Sequence, residues 1–333
     1  MSRRFLRGGT LVALSSLALL TLAGTGQAAP ADDTGPAAHA AARTVAQQQQ
    51  VLDYWTEERM KNAVPLDQLV NLGKVGTRSS EPVAAGDPVS IPPTTVTAES
   101  DSVEAQAFPN AGSPWTGGGA IVKTAGRVFF TYQGRDASCS GNAVTSANKS
   151  TVITAGHCVK LDGAWHTNWV FVPAYHNGNA PYGTWTARTT MATTQWAAIE
   201  DMNYDVGAAV VNPLNGNYLT DVVGGQGIAF NQARGQAMYS FGWPAADPYD
   251  GTQMIYCSGT VFNDFLLTQG LGMRCDMTGG SSGGPWFLNF NESTGTGTLN
   301  SVNSFGYIFL PGYMFGPYFG SEAQSLYNQA QNA

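Results

Sequence analysis

The chain has 333 residues, a formal net charge of −7, and 12% charged against 43% hydrophobic residues. Charge this sparse, with no basic block, excludes nucleic acid and an anionic membrane surface as expected partners. Forty glycines fit short strands and tight turns better than a helical bundle.

Arg3, Arg4 and Arg7 precede an apolar run from Leu11 to Leu22, and the small residues Gly26 and Ala28 follow. This predicts a secretory signal peptide over residues 1–28, too short to span a bilayer, and an extracellular location. "SRRFLR" lacks one spacer residue of a twin-arginine signal, so the general secretory and twin-arginine routes both stay open.

The next stretch, "TVAQQQQVLDYWTEERMKN", predicts a helix: Thr44 and Gln47 fit a capping box, and Val51, Leu52 and Trp55 recur at helical spacing before Pro65. From Thr77 to Gly119 the pattern dissolves into Ser, Thr, Pro, Gly and Ala around "IPPTTVTAES", which predicts a linker or processing region. Residues 29–113 therefore read as a removable, partly helical pro-region, with Lys74, Arg78, Glu99 and Glu104 as possible processing sites.

Residues 114–333 carry "RVFFTYQ", "STVITA", "NWVFVPA", "VGAAVV", "AMYSFG" and "PWFLNF", short β-branched and aromatic runs separated by turn residues. They predict an all-β, antiparallel domain. Ser321 and Gln324 form a second capping box, predicting a short terminal helix to about Gln329.

All four cysteines lie in this domain. Proximity suggests Cys139–Cys158 and Cys257–Cys275, one of three connectivities. With neither C-x-x-C nor H-x-x-H, no metal site and no cofactor are expected.

"CDMTGGSSGGPWF", Cys275 to Phe287, sets two serines among four glycines between a cysteine and a core strand. A serine nucleophile needs glycines there, because backbone N–H groups must approach the oxyanion of a tetrahedral intermediate closely. It also needs a base. Beyond the expected pro-region only His157, His166 and His176 remain, and the last two lie in aromatic-rich, loop-like segments as surface or packing residues. His157, in "TVITAGHCV", follows a β-branched strand and precedes a cysteine able to anchor its loop. Asp205 opens the apolar "DVGAAVV", so it should be buried and needs a partner that His157 can provide. Glu200 and Asp201 are nearby alternatives in polar sequence, expected to be solvated.

"TAGHC", "DVGAAVV" and "GGSSGGP", in that order, resemble the chymotrypsin-like serine peptidases. "VFFTYQGRDASCSGNAVTS", "CDMTGGSSGGP" and "SFGWPA" are similar to the secreted bacterial branch that includes the glutamyl endopeptidases. The resemblance covers residues from about 125 to the end. It implies two antiparallel six-stranded β-barrels and a secreted serine endopeptidase acting on protein or peptide substrates as a monomer. Ser282 would be the nucleophile, His157 the base and then acid, Asp205 its orienter, with Gly280 and Ser282 supplying oxyanion N–H groups. Cys139–Cys158 would hold the histidine loop.

Two departures follow. Ser281 stands where digestive members carry the aspartate that receives a new amino terminus, so activation by that ion pair is not expected. Glutamate-specific members carry a pocket histidine where "SVNSFGY" offers Asn303 or Ser304; these and Thr278 are the candidate substrate-binding residues. Asp276, six residues before Ser282, reads as structural rather than as an arginine/lysine pocket acid. Two rival functions share parts of this pattern. "GSSGG" also satisfies the G-x-S-x-G of an esterase or lipase, but no histidine follows Ser282 as that class requires. A non-enzymatic binding protein on a peptidase scaffold has no evident loss of site residues behind it.

Overall fold

The computed structural model describes residues 35–70, 83–94 and 106–333, and the expected signal peptide and the four possible processing sites lie outside them. No helix among the described residues is long and apolar enough to cross a membrane.

Two β-structures stand side by side. In the first, six antiparallel strands close on themselves. Trp185–Ala192, Thr167–Pro173, Ala125–Tyr132, Arg135–Ala143, Thr151–Thr154 and Gly207–Val211 follow one another, and the last returns to the first. β-branched and aromatic residues on these strands fill the interior: Val128, Phe130, Val152, Val170 and Val210 are wholly buried.

The second half is a seven-stranded sheet with a three-stranded sheet (Phe262–Asn263, Leu271–Arg274, Tyr313–Gly316) beside it, rather than a six-stranded ring. One of its pairings, Gly227–Phe230 with Thr296–Val302, is parallel. Its two outer strands are Val89–Ile91 and Asn110–Pro114. Both fall in the stretch expected to be structureless, because a partner's open edge can recruit weak strand formers that local propensity passes over.

The predicted amino-terminal helix is two helices, Val45–Tyr54 and Glu57–Asn62. Thr44 and Gln47 form the capping box, and a second cap at Thr56, whose hydroxyl accepts from the Arg59 N–H, restarts the chain after Trp55. The terminal helix runs Ser321–Gln331, but the second capping box does not form. Gly320 is the cap, and the Gln324 side-chain oxygen accepts from Asn231 Nδ2 at 3.1 Å instead of turning back on its own helix.

Residues 35–70 do not hang free; they lie against the first barrel as an arm. Ala37–Ala40 adds an antiparallel strand to the outside of Trp185–Ala192. Trp55 is buried against Phe129, with its indole N–H donating to the Asn168 carbonyl, and Met60, Ala63 and Leu66 are also buried. Arg59 and the Tyr54 hydroxyl both meet the Asp136 carboxylate. Val64–Pro65 then pairs, in parallel, with Ala137–Ser138 at the mouth between the barrels.

Candidate active site

Both predicted disulfides are present, Cys139–Cys158 and Cys257–Cys275. The first ties the Arg135–Ala143 strand to the short turn that carries His157. Gly156 before it leaves no choice of residue: a Cβ there would come within 2.6 Å of the Trp196 ring and 2.9 Å of Asp205 Oδ1.

His157 and Asp205 meet in the buried seam below the mouth, neither exposed to solvent. The imidazole Nδ1 lies 2.7 Å from Asp205 Oδ2, and the His157 backbone N–H donates to Oδ1 at 2.8 Å. The Ser304 hydroxyl donates to the same Oδ2 at 2.5 Å. These contacts leave Nδ1 as the protonated nitrogen and Nε2 as the basic one. Burial pushes the imidazole pKa down, but the charge and hydrogen bond of Asp205, with a further contribution from Asp67, raise it overall above the ordinary value. Nε2 is buried and has no hydrogen-bond partner among the described residues.

Of the alternative acids, neither reaches the ring. Asp201 is buried rather than solvated: its Oδ1 caps the turn that precedes Asp205, accepting from the Asn203 N–H and Nδ2. Glu200 Oε1 accepts from the Gly163 N–H on the surface. His176 is exposed. His166 is a packing residue with a definite task, buried flat on Phe130 and bonded through Nε2 to the His157 carbonyl at 2.8 Å. Burial pushes its pKa down to about 3, so it stays neutral.

The glycine loop presents its two serines oppositely. The Ser281 hydroxyl turns back to the Thr278 carbonyl at 2.8 Å, whereas Ser282 Oγ faces the mouth. Gly280 and Gly283 take left-handed φ values of 95° and 80°, and a Cβ on Gly283 would strike Thr154 and Ser140. Ser140 pins the loop to the first barrel. Its N–H donates to the Ser282 carbonyl at 2.7 Å, and its hydroxyl donates to the Gly280 carbonyl at 2.9 Å while accepting from the Trp243 N–H. Sequence reasoning missed Ser140; its place beside Cys139 was the available signal.

Ser282 Oγ does not bond to His157. It donates to the Asp67 carboxylate, at 3.1 and 3.3 Å from its two oxygens, and the Gly280 N–H donates to Asp67 Oδ2 at 3.1 Å. Asp67 belongs to the arm, in the short helical turn Leu66–Leu69, and no sequence motif marked it.

A cavity of about 640 Å³ opens from Ser282, lined by Met277, Thr278, Phe305, Tyr313 and Met314 and reaching Met202 and Leu267. Of the three candidate substrate-binding residues, Thr278 and Ser304 line it. Asn303 does not. It is fully buried behind the nucleophile loop, donating to the Phe241 and Ser281 carbonyls and accepting from Ser240 Oγ and Trp286 Nε1. Its side chain is consumed in holding that loop. Asp276 is structural: exposed, outside the cavity, it accepts from the Tyr249 hydroxyl at 2.7 Å.

No family model matches the chain. Among solved structures it is similar to the protease Anisep from Arthrobacter nicotinovorans, at 51% identity over 67% of this chain and 100% of that one, with a TM-score of 0.62. It is similar also to the thermostable serine protease AL20 from an extremophilic microorganism, at 44% identity over 64% and 99% of the two chains, with a TM-score of 0.61. A Glu endopeptidase shares the fold at 16% identity, 68% and 99% coverage and a TM-score of 0.53. Among curated proteins, an extracellular metalloprotease of Bacillus subtilis is 28% identical over 174 residues, and the chain spans about half, 50%, of that relative's length. Among the described residues, the one close group of three metal-ligand types is Cys139, His157 and Cys158, and both sulfurs are committed to a disulfide, leaving no thiolate. With 51% identity to Anisep across that protein's full length and 67% of this chain, and the double barrel to match, the chain belongs to the chymotrypsin-like serine proteases.

Proposed function

We propose that the protein is a secreted serine endopeptidase made as a proenzyme, working through Ser282, His157 and Asp205. One observation carries the reading: a fully buried Asp205–His157 pair, its basic nitrogen unpartnered, lies beside a glycine loop whose Ser282 hydroxyl and Gly280 N–H converge on one point. Ser282 Oγ would attack the carbonyl carbon of the substrate and pass its proton to His157 Nε2. The oxyanion would form against the N–H groups of Gly280 and Ser282. Collapse would expel the amine with the proton from Nε2, leaving an acyl-enzyme, and water would then repeat the sequence to release the acid and restore Ser282. Asp205 would hold the tautomer, with Ser304 fixing its carboxylate. Two disulfides and the signal-like leader support export to an oxidising compartment.

The arm-covered form would be latent, since its nucleophile is bonded to Asp67 instead of to its base. The decisive test is an organophosphonate probe on processed protein: labelling confined to Ser282 and lost in Ser282→Ala supports the assignment, while an unlabelled wild type sinks it and favours a binding protein on the scaffold.

A further inference from the structure

This chain's own arm reaches into the mouth at Ser282, and the contact it makes there is chemically specific. Three kinds of contact hold the arm. Its first strand pairs along Trp185–Ala192, and the backbone continues the pairing with the N–H groups of Ala41 and Ala42 donating to Arg188 and Ala187. Its apolar side chains Trp55, Met60 and Leu66 are buried, with Trp55 against Phe129. Its short strand Val64–Pro65, on Ala137–Ser138, delivers the next turn to the catalytic mouth. At that turn Asp67 stands with both oxygens accepting from Ser282 Oγ and one from the Gly280 N–H, while Val70 lines the cavity.

A carboxylate is what this position would select. The Gly280 N–H points to where negative charge forms on a substrate oxygen, and a carboxylate brings negative charge and two acceptors there without a scissile bond next to the nucleophile. It also accepts the hydrogen bond of the Ser282 hydroxyl, and among the described residues the buried His157 Nε2 has no partner. Gly279 leaves space for this approach: a Cβ on it would press Asp67 Cβ at 3.1 Å and Pro65 Cβ at 3.3 Å.

We infer that residues 36–70 are an inhibitory partner of the peptidase domain, docked by the arm's strand and apolar contacts and silencing the site through the Asp67 carboxylate seated in the oxyanion position. This rests on the proenzyme reading above and names its means. The edge strand and apolar side chains supply attachment; Asp67 supplies the block.

The test uses the uncleaved full chain. A phosphonate probe reads the reactivity of Ser282 in the band of full-length mass, and amide hydrogen exchange over residues 37–42 reads whether the arm is docked. Asp67→Asn keeps the shape and removes the charge. It should speed labelling roughly tenfold or more, the effect of losing a hydrogen bond to a charged group, with exchange over 37–42 unchanged. Asp67→Glu should label more slowly than Asp67→Asn, because it restores the charge. Unchanged labelling in Asp67→Asn, or faster labelling only where exchange shows the arm released, overturns the role of the carboxylate. Processed wild type run alongside separates the two readings: labelling there with none of the Asp67 effects sinks this inference alone, and no labelling there sinks the peptidase assignment itself.

Discussion

Two aspartates meet the same catalytic mouth and could hardly be more differently placed. Asp205 is wholly buried, and its two oxygens accept from the His157 ring, the His157 backbone and Ser304. Asp67 is half-buried, arrives on the arm, and accepts from Ser282 and Gly280. In the proposed mechanism each holds one of the two reacting side chains. The first is part of the barrel. The second arrives on the arm, held by strand pairing, apolar side chains and contacts such as Arg59 and Tyr54 with Asp136. The proposed orienting carboxylate and the proposed blocking one thus differ less in chemistry than in what anchors them.

That contrast can be broken from either side. The largest effect belongs to Ser282→Ala in processed protein, which should lower kcat by about five to six orders of magnitude in a peptide assay, since the remaining groups act only with the nucleophile present. Asp205→Asn should cost about four orders of magnitude, because an amide favours the wrong tautomer of His157, while the fold persists. Trp55→Ala acts on the other aspartate. Loss of a large buried ring costs about 3 kcal/mol or more, so the arm of the uncleaved chain should open about a hundredfold more often, seen as faster exchange over residues 37–42. Unaltered exchange would show that the arm is held elsewhere.

Smaller still is Ser304→Ala. Removing one hydrogen bond to a carboxylate should reduce kcat about tenfold with KM little changed. A pH experiment sharpens the comparison last. Asp67 is one of the charges that raise the pKa of His157, so a protonated ring favours the docked arm. That contribution is in place while the ring is protonated and fades as pH rises through its raised pKa. Limited proteolysis should therefore release the arm more readily at alkaline than at mildly acidic pH, and Asp67→Asn should flatten that difference.

What could be read in advance divides along the same line. His157, Asp205 and the 280–284 loop could be picked out along the chain because the chemistry proposed for them demands particular residues at particular places: small ones where backbone must approach, an acid where a buried ring needs a partner. Asp67 carries no such mark. It is a single acid among Val64, Pro65, Leu66, Leu69 and Val70 with no motif around it, and its meaning lies in a contact with Ser282 across 215 residues of chain. The strands Val89–Ile91 and Asn110–Pro114 were hidden for a related reason, their Ser, Pro and Gly content saying coil until a sheet edge claimed them. Asn303 shows the reverse error. Polar and near a pocket by family position, it serves Ser240, Trp286 and two carbonyls, all invisible to a reading along the chain.

The Cys139–Cys158 bridge, finally, joins the neighbour of Ser140 to the neighbour of His157. Ser140 in turn grips the Ser282 carbonyl, so the turn that carries His157 and the loop that carries Ser282 are registered through one covalent crosslink and one peptide hydrogen bond. Reductant that reached this bridge would cut the first of these two ties and leave the second, loosening the turn of His157 while the strands on either side stay paired.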